Sequence, residues 1–143
     1  MLSLLTPEQV ARRWDEVKPT VLISMPPYVS TTPESMNNIL DLLLKGVMQM
    51  WVLHDNESVV YAIATTRIEV DASSGTKNLL IFSLYAYRPV PQDMWIEGLA
   101  GLKMFASGRE CKNVVALTVV PRIIEIAQTL GAHTDTRLIM WGL

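Results

Sequence analysis

The hydrophobic period of this chain changes from 3.6 to 2 at Val47–Met48. A chain with that switch must build both helix and sheet. Upstream of it, Met36, Ile39, Leu40, Leu43, Leu44 and Val47 recur at the spacing of one helical face. Thr32-Pro33-Glu34 supplies a helix start and Gly46 a stop. Downstream, Met48–His54, Val59–Val70 and Lys77–Tyr87 are strand segments rich in Val, Ile, Thr and Tyr. Only the turns Asp55-Asn56-Glu57-Ser58 and Asp71–Thr76 separate them. Connections that short cannot carry a crossover, so the three strands form an antiparallel meander.

The remaining segments extend this frame. Thr6-Pro7-Glu8-Gln9 reads as an N-cap, a first-turn proline and a capping box. Val10, Trp14 and Val17 then lie on one face, Pro19 ends the helix, and Val21–Ser24 reads as a short strand before Met25-Pro26-Pro27-Tyr28. After Arg88–Gln92, a helix from about Asp93 to Ala106 places Trp95, Leu99, Leu102 and Ala106 on one face, closed by Ser107-Gly108. Asn113–Val120 is a β-branched strand with a buried pattern. Pro121 opens a short helix carrying Ile123, Ile124, Ala127 and Leu130 and ending at Gly131, and Arg137–Trp141 is a last strand. The order α-α-β-β-β-α-β-α-β makes an α+β fold. Its sheet is mixed and largely antiparallel, with helices on both faces and parallel pairing in the later part. No linker or repeat interrupts residues 1–143, which read as a single domain.

Composition removes several classes of function. Half of the residues are hydrophobic and 18% are charged, which excludes disorder. The net charge is −2, and Arg12-Arg13 is the only basic doublet, so no nucleic-acid footprint is expected. Cys111, the single cysteine, reads as inert filler, and with only His54 and His133 beside it there is no metal-ligand pattern. No apolar run reaches the length of a membrane span, and Met1-Leu2-Ser3-Leu4-Leu5 lacks a basic leader, so a soluble, non-secreted protein without a membrane partner is expected.

The element order, and the stretch Ile126-Ala127-Gln128-Thr129-Leu130-Gly131-Ala132 before the last strand, resemble the GNAT (GCN5-related N-acetyltransferase) superfamily, in particular the small GNAT-like proteins of tailed bacteriophages. The resemblance covers roughly residues 30 to 143. It implies a loop between the third meander strand and the long helix, with the pattern Arg/Gln-x-x-Gly-x-Gly/Ala, whose backbone N–H groups hold the coenzyme A pyrophosphate at a helix N-terminus. The chain has Tyr87-Arg88-Pro89-Val90-Pro91-Gln92-Asp93-Met94-Trp95 there. It contains no glycine, two prolines remove donors, and Asp93 adds a carboxylate. Arg88, Met94 and Trp95 are the residues left to meet a cofactor. The resemblance also implies a tyrosine as general acid where this chain has Ala127, which has no proton to give. Tyr85, Tyr87, Glu69 and His54 are the substitutes able to act as acid or base.

These departures lead to the expectation of a non-catalytic GNAT-like structural or interaction module, a phage virion or assembly protein, with no cofactor and located in the host cytoplasm or the virion. The alternative is a divergent acyl-CoA-dependent N-acetyltransferase that uses acetyl-CoA and acts on a small amine or a protein amine. Protein partners or self-association are expected through Leu138, Met140 and Trp141.

Overall fold

The helix starts form as the sequence dictates. Gln9 N–H donates to Thr6 Oγ1 at 3.2 Å and Thr6 N–H donates to Gln9 Oε1 at 2.9 Å, closing the capping box. Ser35 N–H donates to Thr32 Oγ1 at 3.2 Å at the second start. The computed structural model describes residues 1–143. Its elements are β1 (Leu2–Leu4), α1 (Pro7–Ile23), α2 (Pro33–Leu44), β2 (Met48–His54), β3 (Val60–Val70), β4 (Lys77–Ala86), α3 (Gln92–Gly108), β5 (Asn113–Ala116) and α4 (Pro121–Thr129).

One sheet orders the strands β1-β2-β3-β4-β5. Every neighbouring pair is antiparallel except β4 and β5, which are parallel and joined through α3. This is the α+β, mixed and largely antiparallel sheet that the sequence implies. Helices α1 and α2 cover one face, where Val10, Trp14, Val17, Val21, Met36 and Ile39 pack with Met50, Val52, Ile63, Leu80 and Phe82. Helix α3 covers the other face, where Leu102 and Ala106 pack with Trp51, Ala64 and Leu79. A polar chain runs through the sheet: Trp51 Nε1–H donates to Thr66 Oγ1 at 2.9 Å, and that hydroxyl donates to Gln49 Oε1 at 2.8 Å. No buried side-chain polar atom lacks a partner, as a low-dielectric interior requires.

Four expectations are corrected. The segment Val21–Ser24 is not a strand: α1 runs through Pro19 to Ile23. Proline in a helix interior costs about 3 kcal/mol. Continuing past it buries Val21 completely and Thr20 nearly so, and a buried valine alone contributes about 1.5–3 kcal/mol. Strand β1, ahead of the helices, had no signal in its three residues. It pairs with β2 from Leu2↔Leu53 to Leu4↔Trp51. Finally, Arg137–Trp141, read as a last strand, joins no ladder, and Trp141 is 79% exposed. The β5 ladder is also shorter than the β-branched run, ending at Ala116.

The β3–β4 turn is fixed by Asp71, whose carboxylate accepts from the Ser73 and Ser74 hydroxyls and backbone N–H groups. These bonds, the Ser73 hydroxyl first, lower its pKa from 3.8 to about 2. A depressed carboxylate stabilises the fold above its unfolded pKa, so this contribution is lost as pH falls from 3.8 toward 2. An NMR titration should place the Asp71 midpoint near 2, and a midpoint at the ordinary value would show that the turn is open in solution. Pro19→Ala should raise stability by about 2 kcal/mol, since alanine restores the bond to Asp15 and proline's stiffening of the unfolded chain offsets only part of that gain. Urea unfolding measures it, and no gain would mean that the helix is broken at Pro19.

Candidate functional site

A bulge in β4 creates the site. Thr65 pairs with Ser83 and Thr66 with Ile81, so Phe82 has no opposite residue on β3. A bulge bends its strand and advances the alternation of side chains by one. Ahead of it, Ile81 packs toward α3 and Leu80 and Phe82 toward α1 and α2. Beyond it Leu84 packs toward α3, which leaves Tyr85 on the α1/α2 face. The Thr65 and Ser83 hydroxyls, both buried, bond to each other beside the bulge.

The parallel ladder stops at the same place. It runs from Asn78↔Asn113 to Ile81↔Ala116 and no further. Past the bulge, β4 continues to Ala86 while Leu117–Val120 leaves without a ladder. The two strands therefore part, and residues 82–86 keep an edge with no strand partner on the β5 side. At the carboxyl end of β4, α3 begins with Pro91 as N-cap and no side-chain cap. Met94 and Trp95 N–H both donate to the Pro91 carbonyl, at 3.1 and 3.2 Å. Gln92 and Asp93 are left with N–H groups that no backbone carbonyl takes.

On the other side of the β4 end lies a cavity of about 240 Å³. Its floor is Met50, Val52, Val60 and Ile63, and its polar walls are Arg13 and Glu16 of α1 with Tyr87 and Arg88. Neither arginine has a carboxylate partner within ion-pair distance, and Glu16 has no cationic one. Arg88 instead lies over the Tyr61 ring, 5.4 Å from its centre.

The structure brings some of the sequence candidates together and separates others. Tyr85 and Tyr87 meet edge to face at 5.2 Å, and Tyr87 Oη is 3.3 Å from Thr20 Oγ1. Arg88, Met94 and Trp95 stand at the same end of the sheet. Glu69 does not: it pairs with Asn78 at the far end of β4, roughly 20 Å of strand from the Ile63↔Tyr85 pair, and it is held by Arg67 at 3.0 Å. His54 is half-buried at the outer strands, its Nε2 2.7 Å from Ser3 Oγ and its Nδ1 2.9 Å from the Asp55 carbonyl. It ties β1 to β2. Ala127, half-buried on α4, offers no acid. Sequence reasoning missed Glu16 and Arg13. They stood on the polar face of α1, and nothing local marks which part of a helix faces a cavity.

No protein-family profile and no curated protein matches the chain. Solved structures match it over its whole length. A predicted acetyltransferase from Clostridium acetobutylicum, solved with acetyl-CoA, has a TM-score of 0.68 at 13% identity over 98% of this chain and 94% of that one. The aminoglycoside N-acetyltransferase AAC(6')-Iy, solved with a CoA-derived bisubstrate analogue, has a TM-score of 0.68 at 12% identity over 100% and 97%. A ribosomal-protein-alanine N-acetyltransferase from Brucella melitensis biovar Abortus has a TM-score of 0.67 at 12% identity over 100% and 99%. The fold is that of the GNAT acetyltransferases. The expected non-catalytic phage module is corrected by these findings, because these structures, which share the fold from end to end, are of acetyltransferases. The expectation of no cofactor is corrected with it, since two of them hold acetyl-CoA or a CoA analogue. No helix is long and apolar enough to cross a membrane.

The bulge geometry is testable by itself. Thr65→Val keeps the shape of a fully buried side chain but strands the Ser83 hydroxyl, and should cost about 1–3 kcal/mol in urea unfolding. Adding Ser83→Ala should recover much of that loss. If the single substitution costs nothing, the hydroxyl pair does not hold the bulge.

Proposed function

We propose that this chain is a divergent acyl-CoA-dependent N-acyltransferase, acting on a small amine or a protein amine. The observation that carries the reading is the parting of β4 from β5 after Ile81, on the strand whose carboxyl end leads into α3. An extended arm with amide groups can add to an open strand edge through main-chain hydrogen bonds, and residues 82–86 offer such an edge. Acetyl-CoA has an arm of this kind, and when bound it supplies an acyl group activated as a thioester.

The residues fit this cofactor well along the strand and less well at its phosphates. Gln92 and Asp93 N–H groups at an uncapped helix start, with Arg88 nearby, favour a diphosphate. Pro89 and Pro91 contribute no donors there, and the Asp93 carboxylate opposes an anion. Binding weaker than a glycine-rich loop provides is the expected consequence.

The cavity at the β4 end suits an amine. Glu16 can hold an ammonium group or accept a proton from it, and the Tyr87 hydroxyl can give or take a proton. Thr20, 3.3 Å away, orients that hydroxyl. Tyr85 and Tyr87 are the candidates for the role that Ala127 cannot fill.

Calorimetry with acetyl-CoA should give a dissociation constant on the order of 100 μM, about −5.5 kcal/mol. Arg88→Ala should weaken it several-fold, and Asp93→Asn should tighten it about two- to fivefold by removing a like charge. Glu16→Gln and Tyr87→Phe should slow thiol release in the presence of an accepted amine while leaving acetyl-CoA binding intact. No saturable heat at about a millimolar acetyl-CoA would overturn the reading.

A further inference from the structure

Helix α1 carries a charged stripe along the cavity at the end of β4. Arg13, Glu16 and Thr20 follow at helical spacing, so they lie on one edge of the helix, beside the buried face of Val10, Trp14 and Val17. The Thr20 hydroxyl, 3.3 Å from Tyr87 Oη, fixes that edge against the strand end. Outward from Tyr87 the order is therefore Thr20, Glu16, Arg13, and a rise of about 1.5 Å per residue sets Arg13 roughly 4.5 Å beyond Glu16. Side chains at this spacing can pair, yet Arg13 and Glu16 form no ion pair with each other or with any other group. Arg88 lines the same cavity and is unpaired too. The cavity thus has two positive charges to one negative, above an apolar floor of Met50, Val52, Val60 and Ile63.

We propose that the acceptor bound here is a free α-amino acid with an aliphatic side chain: its ammonium group on Glu16, its carboxylate on Arg13 and its side chain on the floor. This rests on the acyltransferase reading and narrows it. A plain monoamine or a polyamine brings only positive charge to a cavity that already has an excess of it, and it leaves Arg13 without a partner. An acceptor with its own carboxylate balances both. The ammonium and carboxylate of an α-amino acid share one carbon, which calls for partners as close as the edge of a helix allows, about 5–6 Å between Cβ atoms. A guanidinium also matches a carboxylate with two parallel hydrogen bonds. The order along α1 places the amine toward the Tyr87 hydroxyl and the carboxylate away from it. At about 240 Å³ the cavity is smaller than the roughly 300–1,000 Å³ of drug-sized sites, so it suits one residue rather than a polypeptide end. Two protons leave the ammonium group. Glu16 takes the first, which frees the nitrogen pair to bond to the acyl carbon, and the second ends on the sulfur as the thioester C–S bond breaks. The products are an N-acyl amino acid and a free thiol.

Calorimetry on the full chain, with and without coenzyme A, tests this with L-valine, L-leucine and L-methionine as probes. At least one should give saturable heat, and its amide and its deaminated acid should each bind about tenfold more weakly, the scale of one charge-assisted hydrogen bond. Arg13→Gln should weaken the amino acid to the level of its amide while leaving the amide unchanged, and Arg13→Lys should restore part of the preference. Glu16→Gln should remove the preference over the deaminated acid. Both side chains are exposed, so circular dichroism should not change in any variant. An amide or a simple alkylamine that binds as tightly as the amino acid would overturn the proposal, as would an Arg13→Gln variant that keeps the preference. If acetyl-CoA binds and none of the three amino acids does, the choice of acceptor is wrong and the acyltransferase reading stands. If an amino acid binds and acetyl-CoA does not, the acyltransferase reading falls and the amino acid is not an acceptor.

Discussion

Phe82 has no partner across the β3–β4 ladder, and the working geometry of this molecule follows from that one extra residue. A regular β4 would continue alongside β5 and would carry Leu84 rather than Tyr85 to the α1/α2 face. The bulge bends the strand, ends the parallel pairing at Ile81↔Ala116, and sends Tyr85 and Tyr87 to the face where α1 supplies Arg13 and Glu16. The distortion is held in place on both sides. Phe82 is buried among α1 and α2 side chains, the Thr65 and Ser83 hydroxyls satisfy each other beneath it, and Arg67 lies 4.8 Å from the centre of its ring. Two buried hydroxyls that each need a partner make the shifted register more favourable than its neighbours.

The open edge of β4 and the start of α3 belong to the same design. A parallel connection needs a crossover, so the chain must leave β4 through a loop and return along α3. That places a helix N-terminus, with its unsatisfied N–H groups, at the mouth of the gap the bulge has opened. The electrostatics of this mouth are mixed. The helix start and Arg88 favour an anion, while Asp93 and the two prolines reduce what the loop can offer. The strand edge, by contrast, is backbone and does not depend on which side chains surround it. A site of this kind keeps the part of a recognition surface that topology provides even where its loop has diverged.

The element order was legible because each signal was local. Thr6-Pro7 and Thr32-Pro33 make caps from adjacent residues, and two short turns force a meander. The errors fell where a tertiary contact outweighed a local rule. Pro19 should end a helix by its own chemistry, but the burial of Thr20 and Val21 against the sheet lies beyond it. Leu2–Leu4 is too short to announce a strand, and is one because β2 offers it an edge. Arg137–Trp141 has strand composition and no strand partner within the chain. Of the site candidates, Tyr85 and Tyr87 were legible as tyrosines on a strand. Glu69 could not be dismissed until the direction of β3 placed it at the opposite end.

The sequence by itself determined that four segments are helices, that β2, β3 and β4 form an antiparallel meander, the parallel step through α3 and the absence of glycine from the loop before it. Periodicity, caps and turn length are properties of neighbouring residues, and they persist in any fold the chain adopts. Only the tertiary structure decided where β4 parts from β5, that Tyr85 and Tyr87 share a face with Glu16, and that residues 137–143 are left without a ladder. Those depend on register and on which surfaces meet. A one-residue slip in register changes the face of every side chain beyond it while leaving the local sequence pattern the same.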